Sequence, residues 1–138
     1  MPAYLLMIQA DEDDRYLTES ILKEMHGAIP MHFIGGISEM DQCIKDNGFP
    51  AAILVNNQDH RHKALELVKY FKQDAKLAHI PVVVLGEITT ADYIKNYYRA
   101  GVNSYITKPS SIAGMRMKIR VFLDYWLEVV EIQQQQQD

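Results

Sequence analysis

Chemistry in this sequence could lie in two polar stretches that follow apolar runs. Four consecutive acids occupy 11–14, and a second stretch carries Asp59, His60 and His62. Carboxylates can ligate metal ions, and a His-x-His with an acid can bind zinc. Acids also stabilise the N-terminus of a helix, and two histidines at this spacing are typical of a solvated loop. We favour the second interpretation for both stretches and predict no metal ligands.

A third group of candidates consists of residues at the ends of short apolar runs. Runs of this kind cover 4–8, 51–56 and 80–85, and they predict strands buried on both faces. More polar strands are predicted at 30–34 and 103–107. In an open parallel sheet, ligands and chemistry lie beyond the carboxyl ends of the strands. Asn56 ends the central run, so it is the first residue to consider there.

Helical patterns separate these strands. The predicted helices begin at about 11, 37, 62, 89 and 110, and the third extends to about 77 and the last to about 131. Ile37, Met40 and Ile44 are expected to point inward from the second helix. The strict alternation predicts an α/β protein, a flavodoxin-like doubly wound sheet of five parallel strands with five helices. The polar second and fifth strands are expected at the edges, in order 2-1-3-4-5.

Cap residues and tyrosines add detail to the last two helices. Thr89 or Thr90 can cap the fourth helix, and Ser110 or Ser111 the fifth. The fourth helix carries tyrosines that cannot all be buried equally, at positions 93, 97 and 98. We leave open whether they serve core packing or an interface.

Composition excludes several classes of protein. The 138 residues carry a net charge of −4 without a basic block, which argues against nucleic-acid binding. No apolar run is long enough for a membrane span, and no signal peptide is apparent. Cys43 is the only cysteine, so an internal disulfide cannot form. We expect a cytoplasmic protein with one domain at 1–132 and a disordered glutamine-rich tail at 133–138.

Several stretches of the chain resemble the receiver domain of two-component response regulators. They are Gln9-Ala10 with Arg15 after it, the strands 53–56 and 80–85, and above all 100–109, Ala-Gly-Val-Asn-Ser-Tyr-Ile-Thr-Lys-Pro. The resemblance covers about 4–131. The long last helix, carrying Tyr125-Trp126-Leu127, resembles that of free-standing receivers that lack an output domain.

The resemblance also implies site positions. Receivers hold magnesium with an acidic pair and an aspartate that accepts the phosphoryl group, while a Thr or Ser and a Lys contact its oxygens. In this chain, Gln9 and Ala10 stand at the positions of the acidic pair, and Asn56 stands at that of the aspartate. Gly86 stands at the position of the Thr or Ser, and Lys108 at that of the Lys. Tyr105 is the aromatic residue at the family's switch position. A shift of one residue would bring Asp11 to the site, but it would leave Gln9 inside the strand.

These departures predict a degenerate receiver. An amide is a poor nucleophile, and magnesium prefers sites that include carboxylates, so we expect no phosphorylation at Asn56 and lost or weak magnesium binding. Lys108 is expected to form a salt bridge with Glu87 or Asp11 that locks one conformation; the alternative, that Lys108 points to water, stays open. The chain would then not be an enzyme. It would act by binding a protein, such as a histidine kinase or another signalling protein, or as a homodimer through its fourth helix, fifth strand and fifth helix.

Two alternatives remain open. One is a conventional phosphorelay receiver that uses a non-standard site. The other is a flavodoxin-like protein that binds a small ligand, although no glycine-rich phosphate loop follows the first strand, since 9–15 contains no glycine.

Overall fold

Five parallel strands form a single sheet. The computed structural model describes residues 4–9, 12–25, 31–57, 63–87 and 89–125. The strands are β1 (Leu5–Ile8), β2 (Met31–Ile34), β3 (Ala52–Asn56), β4 (Val82–Gly86) and β5 (Ser104–Thr107). Their order is β2-β1-β3-β4-β5. The predicted fold class is therefore confirmed, as are the edge positions of the two more polar strands.

Five helices connect and cover the strands. They are α1 (Glu12–Met25), α2 (Met40–Asn47), α3 (Lys63–Gln73), α4 (Ala91–Ala100) and α5 (Ile112–Asp124). The predicted continuation of the last helix to 131, the limits of the domain at 1 and 132, and the glutamine-rich tail lie outside the described residues. Within the described part of the chain, no helix has the length and apolar character needed to cross a membrane.

The core has two halves because successive strand residues point to opposite faces of the sheet. On one face, Ile53, Val55 and Val84 pack with α2, α3 and α4. On the other face, Leu54 and Val83 pack with α1 and α5. Strands buried on both sides need the continuous apolar runs that the sequence contains.

The helix caps resolve two open alternatives. Thr90 caps α4, since its hydroxyl accepts a hydrogen bond from the Tyr93 amide at 3.2 Å. Ser111 caps α5 in the same way, accepting from the Gly114 amide at 3.0 Å. Gly101 ends α4 at a φ of 105°, a conformation that glycine adopts without strain.

Two predictions about the helices were wrong. Ile37 does not point inward: it lies in a 3-10 turn, Ile37–Glu39, before α2, and 38% of its surface is exposed. The third helix ends at Gln73 rather than near 77. The chain turns at Asp74, whose carbonyl accepts from the amides of Leu77 and Ala78.

Candidate functional site

The carboxyl ends of the strands and the start of α5 surround a pocket. Gln9, Asn56 and Lys108 line it together with Ser110 and Ser111, and it holds about 600 Å³ of space that is partly open to solvent. The structure thus brings three of the predicted site residues together. Ala10, Asp11 and the stretch 58–62 lie outside the described residues, so the predicted roles of the acids and histidines there stay predictions.

Gln9 is the first residue after β1, whereas a shift of one residue toward Asp11 would have left Gln9 inside the strand. Its backbone amide donates to the Ile34 carbonyl at 2.9 Å, and its side chain is 3% exposed. The side chain of Gln9 ends in a neutral amide, so it supplies no carboxylate at this position. Among the side chains that the structure describes, no three of the His, Cys, Asp or Glu type stand close enough to hold a metal ion.

Asn56 ends β3 with its side-chain amide inside the protein. Both Nδ2 and Oδ1 are buried, and neither has a hydrogen-bond partner in the described structure. A buried polar group without a partner costs about 1–3 kcal/mol.

Asn57, the next residue, has hydrogen-bond partners for its side-chain and backbone amide groups, and the sequence analysis did not single it out. Its Nδ2 donates to the hydroxyl of Tyr97 at 2.9 Å and to that of Tyr93 at 3.2 Å. Its backbone amide donates to the Leu85 carbonyl at 2.8 Å. Asn57 therefore joins the ends of β3 and β4 to α4. Its position, directly after a buried strand, was the signal that could have identified it.

Gly86 leaves a space that the Tyr105 hydroxyl fills. A Cβ atom on residue 86 would lie 2.2 Å from Oη and 2.7 Å from Cζ of Tyr105. This proximity follows from strand register, since Tyr105 pairs with Val84 across the sheet and side chains two residues apart share a face. A side chain at position 86 and the present position of Tyr105 exclude each other.

Tyr105 is held in this position by several contacts. Its hydroxyl donates to the Glu87 carbonyl at 3.0 Å, and its ring lies 5.2 Å from that of Tyr97. Burial raises the pKa of the Tyr105 phenol, and the nearby Tyr93 and Glu87 raise it further. The phenol is thus half-buried, neutral and directed toward the strand ends.

The three tyrosines of α4 have different environments. Tyr97 is completely buried, Tyr93 is half-buried, and Tyr98 is 50% exposed. Tyr98 nevertheless contacts the sheet, because its hydroxyl accepts a hydrogen bond from the backbone amide of Tyr105 in β5 at 3.1 Å. The expectation of unequal burial is confirmed. An interface role is open only to Tyr98 among the three.

Comparisons with known proteins agree with this fold. No family model matches the chain. The response regulator Rcp1 of Synechocystis is 24% identical over 141 residues, which cover 95% of this chain and 93% of that protein. The “Probable methanogenesis regulatory protein FilR2” of Methanothrix harundinacea is 31% identical over 78 residues. The chain spans only half the length of FilR2, and the match covers 56% of the chain.

Solved structures give the same result. The response regulator RPA3017, described in red light signaling of R. palustris, matches 96% of this chain and 99% of its own with a TM-score of 0.81 at 20% identity. The Mn²⁺-bound form of Rcp1 matches 96% of this chain and all of its own with a TM-score of 0.80 at 22% identity. The chain is a homologue of response regulator receiver domains and has their fold. This receiver homologue carries Asn56 at a strand end that lines the pocket, and Gly86 at a strand end beside Tyr105.

Proposed function

We propose that this receiver homologue acts in two-component signalling by binding a protein, without accepting a phosphoryl group at Asn56. One observation carries the proposal: the end of β3 presents a buried neutral amide with no hydrogen-bond partner among the described residues. A phosphoryl acceptor needs an anionic oxygen that can attack phosphorus. The carboxamide oxygen of Asn56 is neutral and inaccessible, so it meets neither requirement.

The environment of Gly86 supports the same proposal. A hydroxyl at this position would contact a phosphoryl oxygen, but glycine has none. The space beside it is filled by the phenol of Tyr105, whose hydroxyl is bonded to the Glu87 carbonyl. We propose that Tyr105 keeps this position without a signal from the site, and that the chain has a fixed rather than a switched conformation.

The described residues do not fit a divalent cation. Magnesium and manganese are held in proteins by hard oxygens, usually with carboxylates among them. Gln9 and Asn56 supply amides only, and Lys108 adds positive charge to the same pocket. We propose that magnesium binding is lost or weak, and that the chain has no enzymatic role. The ion pair of Lys108 with Glu87 or Asp11 stays a prediction.

Binding through the surface of α4, β5 and α5 is the remaining part of the proposal. Tyr98 is half-exposed on α4, and Lys118 of α5 donates to the Thr107 carbonyl of β5. These contacts connect the three elements into one surface next to Tyr105. A surface tied to a fixed Tyr105 can present one conformation to a histidine kinase, another signalling protein or a second copy.

Amide NMR spectra with magnesium and beryllofluoride, an acyl-phosphate mimic, test the proposal. We expect no saturable shifts of the Asn56, Gly86 and Lys108 amides, and no phosphoryl adduct in the intact mass after acetyl phosphate treatment. Rcp1, whose solved structure holds Mn²⁺, serves as the positive control under the same conditions. Saturable shifts confined to these amides, or a phosphoryl adduct at residue 56, would overturn the proposal.

A further inference from the structure

Three polar side chains form a closed triangle between the end of β3 and α4. They are Asn57, Tyr93 and Tyr97, and we call them the Asn57 clamp. The Asn57 Nδ2 atom lies 2.9 Å from the Tyr97 hydroxyl and 3.2 Å from that of Tyr93, and the two hydroxyls lie 3.1 Å apart. An amide nitrogen carries two hydrogens, so Asn57 can donate one to each hydroxyl while the hydroxyls bond to each other. The clamp lies inside the protein, since Asn57 is 6% exposed and Tyr97 is completely buried.

We propose that the Asn57 clamp holds α4 in a single position on the sheet, and that α4 in turn holds Tyr105 beside Gly86. This inference rests on the proposed function, because it names the device that fixes the conformation of the chain. The anchor of the clamp is part of the sheet, since Asn57 follows β3 directly and its backbone amide donates to the Leu85 carbonyl of β4 at 2.8 Å. The two tyrosines belong to the helix, so the clamp joins a rigid sheet to an element that could otherwise shift.

The directionality of hydrogen bonds restricts the position of α4. A shift of α4 by about 1 Å moves both hydroxyls together, because they belong to the same helix, and takes at least one of them beyond hydrogen-bond range of Nδ2. A buried donor that loses its acceptor is costly, since water does not replace the acceptor there. Apolar packing is non-directional, whereas a satisfied polar network inside a core specifies one arrangement. The clamp therefore selects one position among those that apolar contacts alone would allow.

Two contacts connect the position of α4 to Tyr105. The ring of Tyr97 lies 5.2 Å from the ring of Tyr105, and the Tyr98 hydroxyl accepts a hydrogen bond from the backbone amide of Tyr105 at 3.1 Å. While α4 keeps its position, the phenol of Tyr105 stays in the space beside Gly86 and donates to the Glu87 carbonyl at 3.0 Å. The clamp thus positions Tyr105 through the ring of Tyr97.

The adjacent residues Asn56 and Asn57 have separate roles in this arrangement. Asn56 lines the pocket, and its side-chain amide has no hydrogen-bond partner in the described structure. The side-chain amide of Asn57 is bonded to the two tyrosines of α4 instead. We therefore expect the clamp to hold α4 in the same position whether or not an ion reaches the pocket.

NMR relaxation dispersion of the full chain without ligand tests this inference, because it detects minor conformations that exchange in μs–ms. Wild type should show no dispersion at the amides of α4 and β5. Asn57→Leu removes both donated hydrogens, so the population of displaced α4 should rise about tenfold and produce dispersion at these amides. Tyr97→Phe keeps the ring and removes one hydroxyl, so it should produce a smaller effect at the same amides, and it decides the question if Asn57→Leu does not fold. Dispersion in wild type as large as in the variants, or none in any folded variant, overturns the inference.

Two controls separate the clamp from a general loss of stability. Asn56→Leu makes the same change one position earlier, at an amide without a partner in the described structure, and should leave α4 and β5 without dispersion. Ile21→Val removes a methyl group from the other half of the core, where Ile21 is 2% exposed, so it lowers stability without altering the clamp. Dispersion in either control equal to that of Asn57→Leu overturns the inference. The beryllofluoride titration reads the Asn56 pocket instead, so either proposal can fail without the other.

Discussion

Replacing Gly86 by alanine adds a methyl group where the Tyr105 hydroxyl now lies. The added Cβ would stand 2.2 Å from Oη, whereas ordinary van der Waals contacts begin at 3.4 Å. The phenol must therefore move by more than about 1 Å. Because the backbone of β4 is paired on both sides, with β3 and β5, we expect the side chain of Tyr105 to move rather than the strand.

The cost of Gly86→Ala follows from the contacts that Tyr105 would lose. The hydrogen bond to the Glu87 carbonyl is worth about 1 kcal/mol, and the ring contact with Tyr97 about 0.5–1.5 kcal/mol. Alanine offsets about 0.4–1 kcal/mol of this by reducing the entropy of the unfolded chain. We expect the free energy of unfolding to fall by about 1–2 kcal/mol in urea titrations.

Three measurements separate this effect from a general effect of alanine. Gly36→Ala is the control, because a Cβ on Gly36 meets nothing within 4 Å and its φ of −177° is ordinary extended backbone. In the background of Tyr105→Ala, the Gly86→Ala change should no longer destabilise. NMR cross-peaks between the rings of Tyr105 and Tyr97 should disappear in Gly86→Ala. A Gly86→Ala variant with wild-type stability and intact cross-peaks would refute the steric reasoning.

Three further predictions concern buried polar groups. Asn56→Leu removes two polar atoms that lack partners in the described structure. The free energy of unfolding in urea should therefore stay unchanged or rise by up to about 1 kcal/mol. A clear loss of stability would contradict the conclusion that the Asn56 amide has no hydrogen-bond partner. Tyr97→Phe removes one of two acceptors from Asn57 Nδ2 and should cost about 1 kcal/mol, while Tyr70→Phe, an exposed control, should be neutral. Burial raises the pKa of the Tyr4 phenol, so the stability that the neutral phenol contributes is present below pH ~10 and is lost as the pH rises further. Above pH ~10, the thermal unfolding temperature of Tyr4→Phe should therefore depend less on pH than that of wild type. Identical pH profiles of the two proteins would contradict this prediction.

The spacing and polarity of the residues predicted most of the fold. Three purely apolar runs had to be interior strands, because only a strand covered on both faces lacks polar positions. The two mixed runs were therefore edges, as the strand order confirms. The caps Thr90 and Ser111 were within reach for a related reason: a cap bonds an amide only a few residues away, so the local sequence contains both partners.

Predictions failed at a local departure from α-helical geometry and at a residue whose partners lie far away along the chain. Ile37 has apolar character and helical spacing, but a 3-10 turn rotates it toward solvent. Asn57 stands directly after a buried strand, but that position does not reveal its partners, the tyrosine hydroxyls of α4, which lie 36 and 40 positions later. The difference between Asn56 and Asn57 arises in the same way: adjacent amides in one segment point to opposite sides, and only one meets donors or acceptors.

The sequence by itself determined the sheet order and which residue types stand at each strand end, including an amide at 56 and glycine at 86. These properties follow from periodicity and residue chemistry along the chain. Only the tertiary structure decided that the missing side chain of Gly86 is matched by the Tyr105 hydroxyl. That contact depends on the register between β4 and β5 and on the rotamer of one side chain, and both are set by packing between segments distant in sequence.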